Sequence, residues 1–135
     1  MADAVTSQTI LDGEHLFIGK FTNISDGTGE TAVTKITASS LSPNSWGKVC
    51  NGVKIHKVWV QTYGMGVDIL WDATSDVICE SVPADTAYLL DYSSFGGLPN
   101  NAGAGVTGNV HFSTVGATSG KRYTIILECI KTYAA

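Results

Sequence analysis

Apolar and polar residues alternate with a period of two along most of this chain, the pattern of strands with one face buried and one face wet. The strongest run is 53–72 (VKIHKVWVQTYGMGVDILWD). In its first half Val53, Ile55, Lys57, Trp59 and Gln61 fall on one face, with Lys54, His56, Val58, Val60 and Thr62 on the other. Gly64 and Gly66 interrupt the run, after which Met65, Val67, Ile69 and Trp71 share a face. This spacing predicts the central pair of strands of a β-sandwich. Trp59 and Trp71 are the largest apolar groups available to its core, each contributing on the order of a few kcal/mol when buried.

The rest of the chain reads as further strands separated by turn residues. Residues 5–11 (VTSQTIL) predict an outer strand that turns back at Asp12-Gly13, because both positions of that turn tolerate positive φ. Residues 15–23 follow, with Phe17 and Phe21 on one face and Leu16 and Ile18 on the other. Short strands are expected at 31–37, 77–82 and 87–92, the second stopped by Pro83. Residues 106–114 return to alternation, and 122–132 place Tyr123, Ile125, Leu127 and Cys129 on one face of a long terminal strand. Two loops stand out: 38–47, polar and carrying Trp46, and 93–105, Gly-rich and almost uncharged. With no helical periodicity and turns at regular spacing, the expected fold is all-β: a single-domain antiparallel β-sandwich or jelly roll of about eight strands. It spans 1–135, with 1–11 as an N-terminal arm or edge strand.

Composition narrows the function classes. At 135 residues the chain buries roughly two-thirds of its unfolded surface as one domain, so its core needs no metal or disulfide. A net charge of −4 argues against nucleic acid as partner, since phosphate neutralisation needs a clustered basic surface and only Lys48, Lys54, His56 and Lys57 approach one. No apolar run approaches the roughly 20 residues of a membrane helix. The start MADAVTSQTI has neither the basic nor the apolar region of a signal peptide. Cys50, Cys79 and Cys129 lie far apart without CxxC spacing and read as buried free thiols, in keeping with a reducing cytoplasm. The sequon Asn23-Ile24-Ser25 reads as coincidence.

No motif for catalysis emerges. His15, His56 and His111 are not at ligand spacing, so any metal site would have to be assembled by tertiary contact. No G-x-S-x-G elbow is present, and the Gly-rich segments lack the lysine and the strand-to-helix context of a phosphate loop. Among the carboxylates, Asp68, Asp72, Glu80 and Asp91, nothing singles out a general acid. No catalytic, cofactor or metal residue is therefore assigned. Surface aromatics remain: Trp46, Tyr92, Phe95 and Tyr133, suited to anchoring an interface or stacking on sugar rings.

The segments TNISDGTGETAVTKITASSL (22–41), VDILWDAT (67–74), FGGLPNNAGAGVTGNVHFST (95–114) and GATSGKRYTIILE (116–128) resemble a group of small β-proteins encoded among the virion structural genes of tailed bacteriophages. The resemblance implies a non-enzymatic capsid decoration or cement protein, a jelly roll that is commonly trimeric. Such a protein is made in the host cytoplasm and sits on the virion's outer surface, clamping the major capsid protein. It offers no catalytic motif. In that role the arm would supply Val5, Gln8 and Ile10 for lattice contact or strand addition, the first loop Trp46, and the second loop Tyr92, Phe95, Leu98 and Asn100. The competing class is a carbohydrate-binding head-fibre or tail-associated domain using Trp46, Tyr92 and Phe95 as stacking platforms. An exposed coplanar aromatic pair would favour it. A third class, a small enzyme on a jelly-roll scaffold, would need histidines and carboxylates converging in space.

Overall fold

The computed structural model describes residues 4–100 and 102–133. The first three residues of the expected arm, Asn101 of the second loop and the last two residues of the chain lie outside the described residues. Among the described residues nine strands form: β1 (Ala4–Asp12), β2 (Leu16–Ile24), β3 (Val33–Ile36), β4 (Cys50–Tyr63), β5 (Gly66–Trp71), β6 (Val77–Val82), β7 (Ala87–Asp91), β8 (Val110–Val115) and β9 (Arg122–Tyr133). They make two antiparallel sheets, of order β1-β2-β9-β4-β7 and β3-β8-β5-β6. The fold is thus an all-β sandwich.

The order has a nested logic. β5 pairs with β6, β4 with β7, β3 with β8 and β2 with β9, so β2 through β9 close as one long hairpin folded across two layers. β1 stands outside that nest, paired only to β2 at the rim of the five-stranded sheet. Gly64 and Gly66 carry the chain from β4 into β5. The two strands read as a central pair therefore lie in opposite sheets and do not pair with each other.

The alternation of the long strands decides what fills the space between the sheets. Phe17 and Phe21 of β2, Tyr123, Ile125, Leu127 and Cys129 of β9, and Met65, Val67, Ile69 and Trp71 on and beside β5 are all buried there, as their spacing predicts. Phe112 packs edge-on against both Phe21 and Tyr123, at 5.5 and 5.8 Å between ring centroids. Gly19 is required between the two β2 phenylalanines: a Cβ there would stand 2.9 Å from each ring. The core also holds an ion pair. Glu30 Oε2 accepts from Lys35 Nζ at 2.5 Å, while Oε1 accepts from Asn23 Nδ2 at 2.9 Å and the Tyr123 hydroxyl at 2.6 Å. Asn23 is buried in this network, which closes the sequon to glycosylation.

One expectation fails on β4. Trp71 is 2% exposed, but Trp59 is 37% exposed and faces outward. The cause is a bulge. Ile55 pairs with Cys129 and Lys57 with Glu128, so His56 is an extra residue in β4, and its Nδ1 lies 2.7 Å from Glu128 Oε2. The insertion reverses the alternation, so Val53 and Ile55 point inward before it, and Val58, Val60 and Thr62 after it. Two smaller differences occur downstream. Residues 106–109 are not strand, and the loop 93–105 contains a 3-10 turn (Ser93–Phe95) and a bridge between Leu98 and Ile55.

Candidate interaction surface

β1 is exposed along almost its whole length and on both faces. Its backbone hydrogen bonds run to β2 on one side, and its other edge carries the unpaired N–H and C=O groups that every edge strand presents. The other three edge strands carry features that blunt such an edge. β3 and β7 are only 4 and 5 residues long, and β6 pairs irregularly with β5 and ends at Pro83. β1 has 9 residues and no charge before Asp12. Its bulge at Ile10 leaves residues 4–9 in regular register. Val5 and Ile10 are exposed apolar side chains on this strand, and Gln8, also exposed, pairs across to Lys20.

The loop carrying Trp46 is fastened to the end of the same hairpin. Lys131, whose side chain is fully buried, forms an ion pair with Asp12 and donates to the Ser42 carbonyl at 3.0 Å. Asp12 in turn accepts from the Ser42 backbone N–H at 3.0 Å. Partial burial pushes the Asp12 carboxyl up, but the bonds from Lys131 and Ser42 outweigh this and hold it below the usual carboxylate range. One residue past Gly13, Glu14 accepts from the N–H and hydroxyl of Ser45, and both bonds lower its carboxyl. Asn44 Oδ1 then accepts from the N–H groups of Trp46 and Lys48 at 3.0 and 2.9 Å, closing a tight turn. Trp46 sits in this turn at 87% exposure. Trp46 therefore points into solvent and does not cover the core.

The second loop behaves differently. Tyr92 is half-buried, with its hydroxyl donated to Glu80. Burial and this bond raise its phenol well above the ordinary range. Phe95 is exposed beside it, 6.0 Å away with ring planes tilted by 52°. The pair is therefore not the coplanar platform that a sugar ring would lie on. Leu98 packs on the protein's own core and exchanges backbone bonds with Ile55 at 2.7 and 3.1 Å, so it anchors the loop. Asn100 is half-buried, its Oδ1 accepting from the Ala102 N–H.

Sequence reasoning missed Trp59 as a surface residue. It faces a shallow groove of about 370 Å3 on the outer side of the five-stranded sheet, shared with Gln61, Ala87, Tyr88, Thr124 and Ile126. The local trace of the bulge that turned it outward is the three-residue step from Ile55 to Val58, which breaks the period of two.

Two of the clustered basic residues face acidic ones. His56 faces Glu128, and Lys57 pairs across to Asp91. Among the described residues no helix is long and apolar enough to cross a membrane. Cys50 and Cys129 are buried and Cys79 is partly buried, all three as free thiols. No family model matches the chain, and neither does any curated protein or solved structure.

Proposed function

We propose that this chain is a non-enzymatic structural protein of a phage virion. In this reading it is a decoration protein that binds the outside of the head as a homotrimer and holds neighbouring major capsid subunits together. The nested order of β2 to β9 is read as a jelly roll, with β1 added to it as the arm. The observation that carries the reading is the pairing of β1 with the Trp46 turn. A strand outside the nest, without charge before its last residue and exposed on both faces, ends beside a tryptophan held almost fully in solvent by Glu14 and Asn44. An ordered, exposed Trp loses little conformational freedom on binding and is the residue type most often found to dominate an interface. A free strand edge offers backbone hydrogen bonds to an extended segment of a partner. Trimerisation would multiply such contacts by avidity, so each one could be weak.

Two measurements test this. Light scattering on the purified chain should give three times its 14.2 kDa mass. Co-sedimentation with expanded, undecorated phage heads should show saturable binding, and Trp46→Ala should weaken it by roughly tenfold or more. A persistent monomer that neither sediments with heads nor stabilises them would overturn the proposal. So would saturable binding to a glycan that Trp46→Ala abolishes while the heads are ignored.

A further inference from the structure

Three residues that sequence reasoning left scattered converge at one end of the four-stranded sheet. Asp72 follows β5, Asp76 precedes β6, and His111 lies on β8, opposite Leu70 and pointing away from the core that Val110 and Phe112 fill. One carboxylate oxygen from each aspartate and one ring nitrogen of His111 all lie within 4.8 Å of one another. The imidazole is only 12% exposed, the two carboxylates 21% and 23%.

The hydrogen bonding fixes which nitrogen faces which group. His111 Nδ1 lies 2.9 Å from Asp76 Oδ2. A carboxylate oxygen only accepts, so in this contact Nδ1 carries the proton. In the neutral imidazole Nε2 then presents a lone pair toward Asp72 Oδ2, 3.6 Å away. Thr107 Oγ1 donates to that same oxygen at 2.6 Å, so the orientation of Asp72 is also set. A separation of 3.6 Å is too long for a hydrogen bond. It is close to the edge of a tetrahedron whose centre lies about 2.1 Å from each donor, which is about 3.4 Å.

We propose that Asp72, Asp76 and His111 form a binding site for a divalent transition-metal ion of the zinc type. His111 Nε2 and Asp72 are its ligands. Asp76 orients the ring through Nδ1 and adds the second negative charge, the carboxylate–histidine–metal arrangement that raises the basicity of a ligating histidine. The mixed nitrogen and oxygen donor set suits zinc, cobalt or nickel, and disfavours calcium and magnesium, which take oxygen ligands. With two protein ligands the remaining positions on the ion fall to water, and the ion acts as a cross-strand clamp. The turn at 73–76 is already laced to the loop before β8 by Thr74 N–H to Ala104 O and Asp72 N–H to Asn109 O, both at 3.1 Å. A metal on Asp72 and His111 would clamp the end of β5 to β8 where that loop crosses, with the start of β6 held only through the bond of Asp76 to His111.

The test uses the full chain, freed of metal by chelator and titrated with zinc chloride by calorimetry, with thermal unfolding as second readout. One ion per chain should bind and raise the unfolding midpoint saturably. His111→Gln and Asp72→Asn should abolish both effects, and Asp76→Asn should weaken affinity by roughly 10- to 100-fold. His15→Gln and His56→Gln should change neither. Cobalt in place of zinc should give visible bands that vanish in His111→Gln. Absence of saturable binding below about millimolar zinc would overturn the proposal, a result that needs only the unaltered protein. Equal binding by folded His111→Gln would also overturn it.

Discussion

Ser45 donates both its backbone N–H and its hydroxyl to one oxygen of Glu14, at 2.9 and 2.8 Å. The residue next to Ser45 is Trp46, so this bond connects the β1–β2 turn to the most exposed aromatic side chain of the protein. Glu14→Ala should free the turn without unfolding the domain, because Glu14 is a surface residue. The expected outcome is a more mobile Trp46 indole by nitrogen relaxation, with the unfolding midpoint nearly unchanged. Since the Ser45 bonds lower the Glu14 carboxyl, the ordering is present above its ordinary pKa and fades as pH falls through the lowered value. An indole as rigid in Glu14→Ala as in the parent would show that Asn44 alone sets the turn.

The Lys131–Asp12 pair should respond to substitution asymmetrically. Asp12→Asn leaves a fully buried ammonium without its carboxylate and is expected to cost about 3 kcal/mol. Lys131→Met removes the charge together with its need for a partner and should cost less. The Asp12 carboxyl titrates lower folded than unfolded, so the pair's contribution is complete above the unfolded value, about 4. It is lost as pH falls below this and through the folded pKa. Urea unfolding from pH 7 to pH 2 should show this loss in the parent and not in Lys131→Met.

Glu30 should be the costliest single side chain to remove among the polar residues of the core. Glu30→Ala strands Lys35, whose side chain is 2% exposed, and takes an acceptor from Asn23 and Tyr123. A loss of about 3–5 kcal/mol is expected by chemical unfolding. Lys35→Met should cost less, because the Glu30 carboxylate it leaves keeps the bonds from Asn23 and Tyr123 and the thioether can pack where the ammonium lay over the Phe112 ring. Equal losses would mean that those two bonds do not compensate the buried carboxylate.

Gly19 has no tolerance for a side chain. Its missing Cβ would sit 2.9 Å from the rings of Phe17 and Phe21, so Gly19→Ala should cost about 1–3 kcal/mol through displaced rings. Gly13→Ala, whose nearest neighbour would be 3.7 Å away, serves as the comparison and should cost much less.

The cysteines should be unreactive while the protein is folded. Burial pushes the Cys79 thiol up to about 12, so at pH 8 only about one in ten thousand is thiolate. Cys129 is buried completely and raised for the same reason. A disulfide reagent at pH 8 should label the native protein slowly and modify all three thiols after denaturation. Rapid native labelling of Cys79 would show that the β5–β6 edge opens.

The alternation of apolar residues by itself determined the all-β class, the strand positions of β2, β5 and β9, and the burial of Phe17, Phe21, Trp71 and Leu127. The turn residues located the β1–β2 hairpin, but Asp12 stays in β1 and the turn falls at 13–15 without positive φ at Asp12 or Gly13. These follow from local geometry, since successive side chains of one strand alternate faces whatever strand lies next to it. The outward turn of Trp59, the isolation of β1 and the meeting of Asp72, Asp76 and His111 were decided only by the tertiary structure. Each depends on pairing between segments distant in the chain: the bulge at His56 exists through its register with β9, β1 is solitary because β2 to β9 close without it, and His111 reaches its carboxylates because β8 pairs with β5. Register is a property of two strands at once, and a period-two pattern in either one carries no record of the partner's phase.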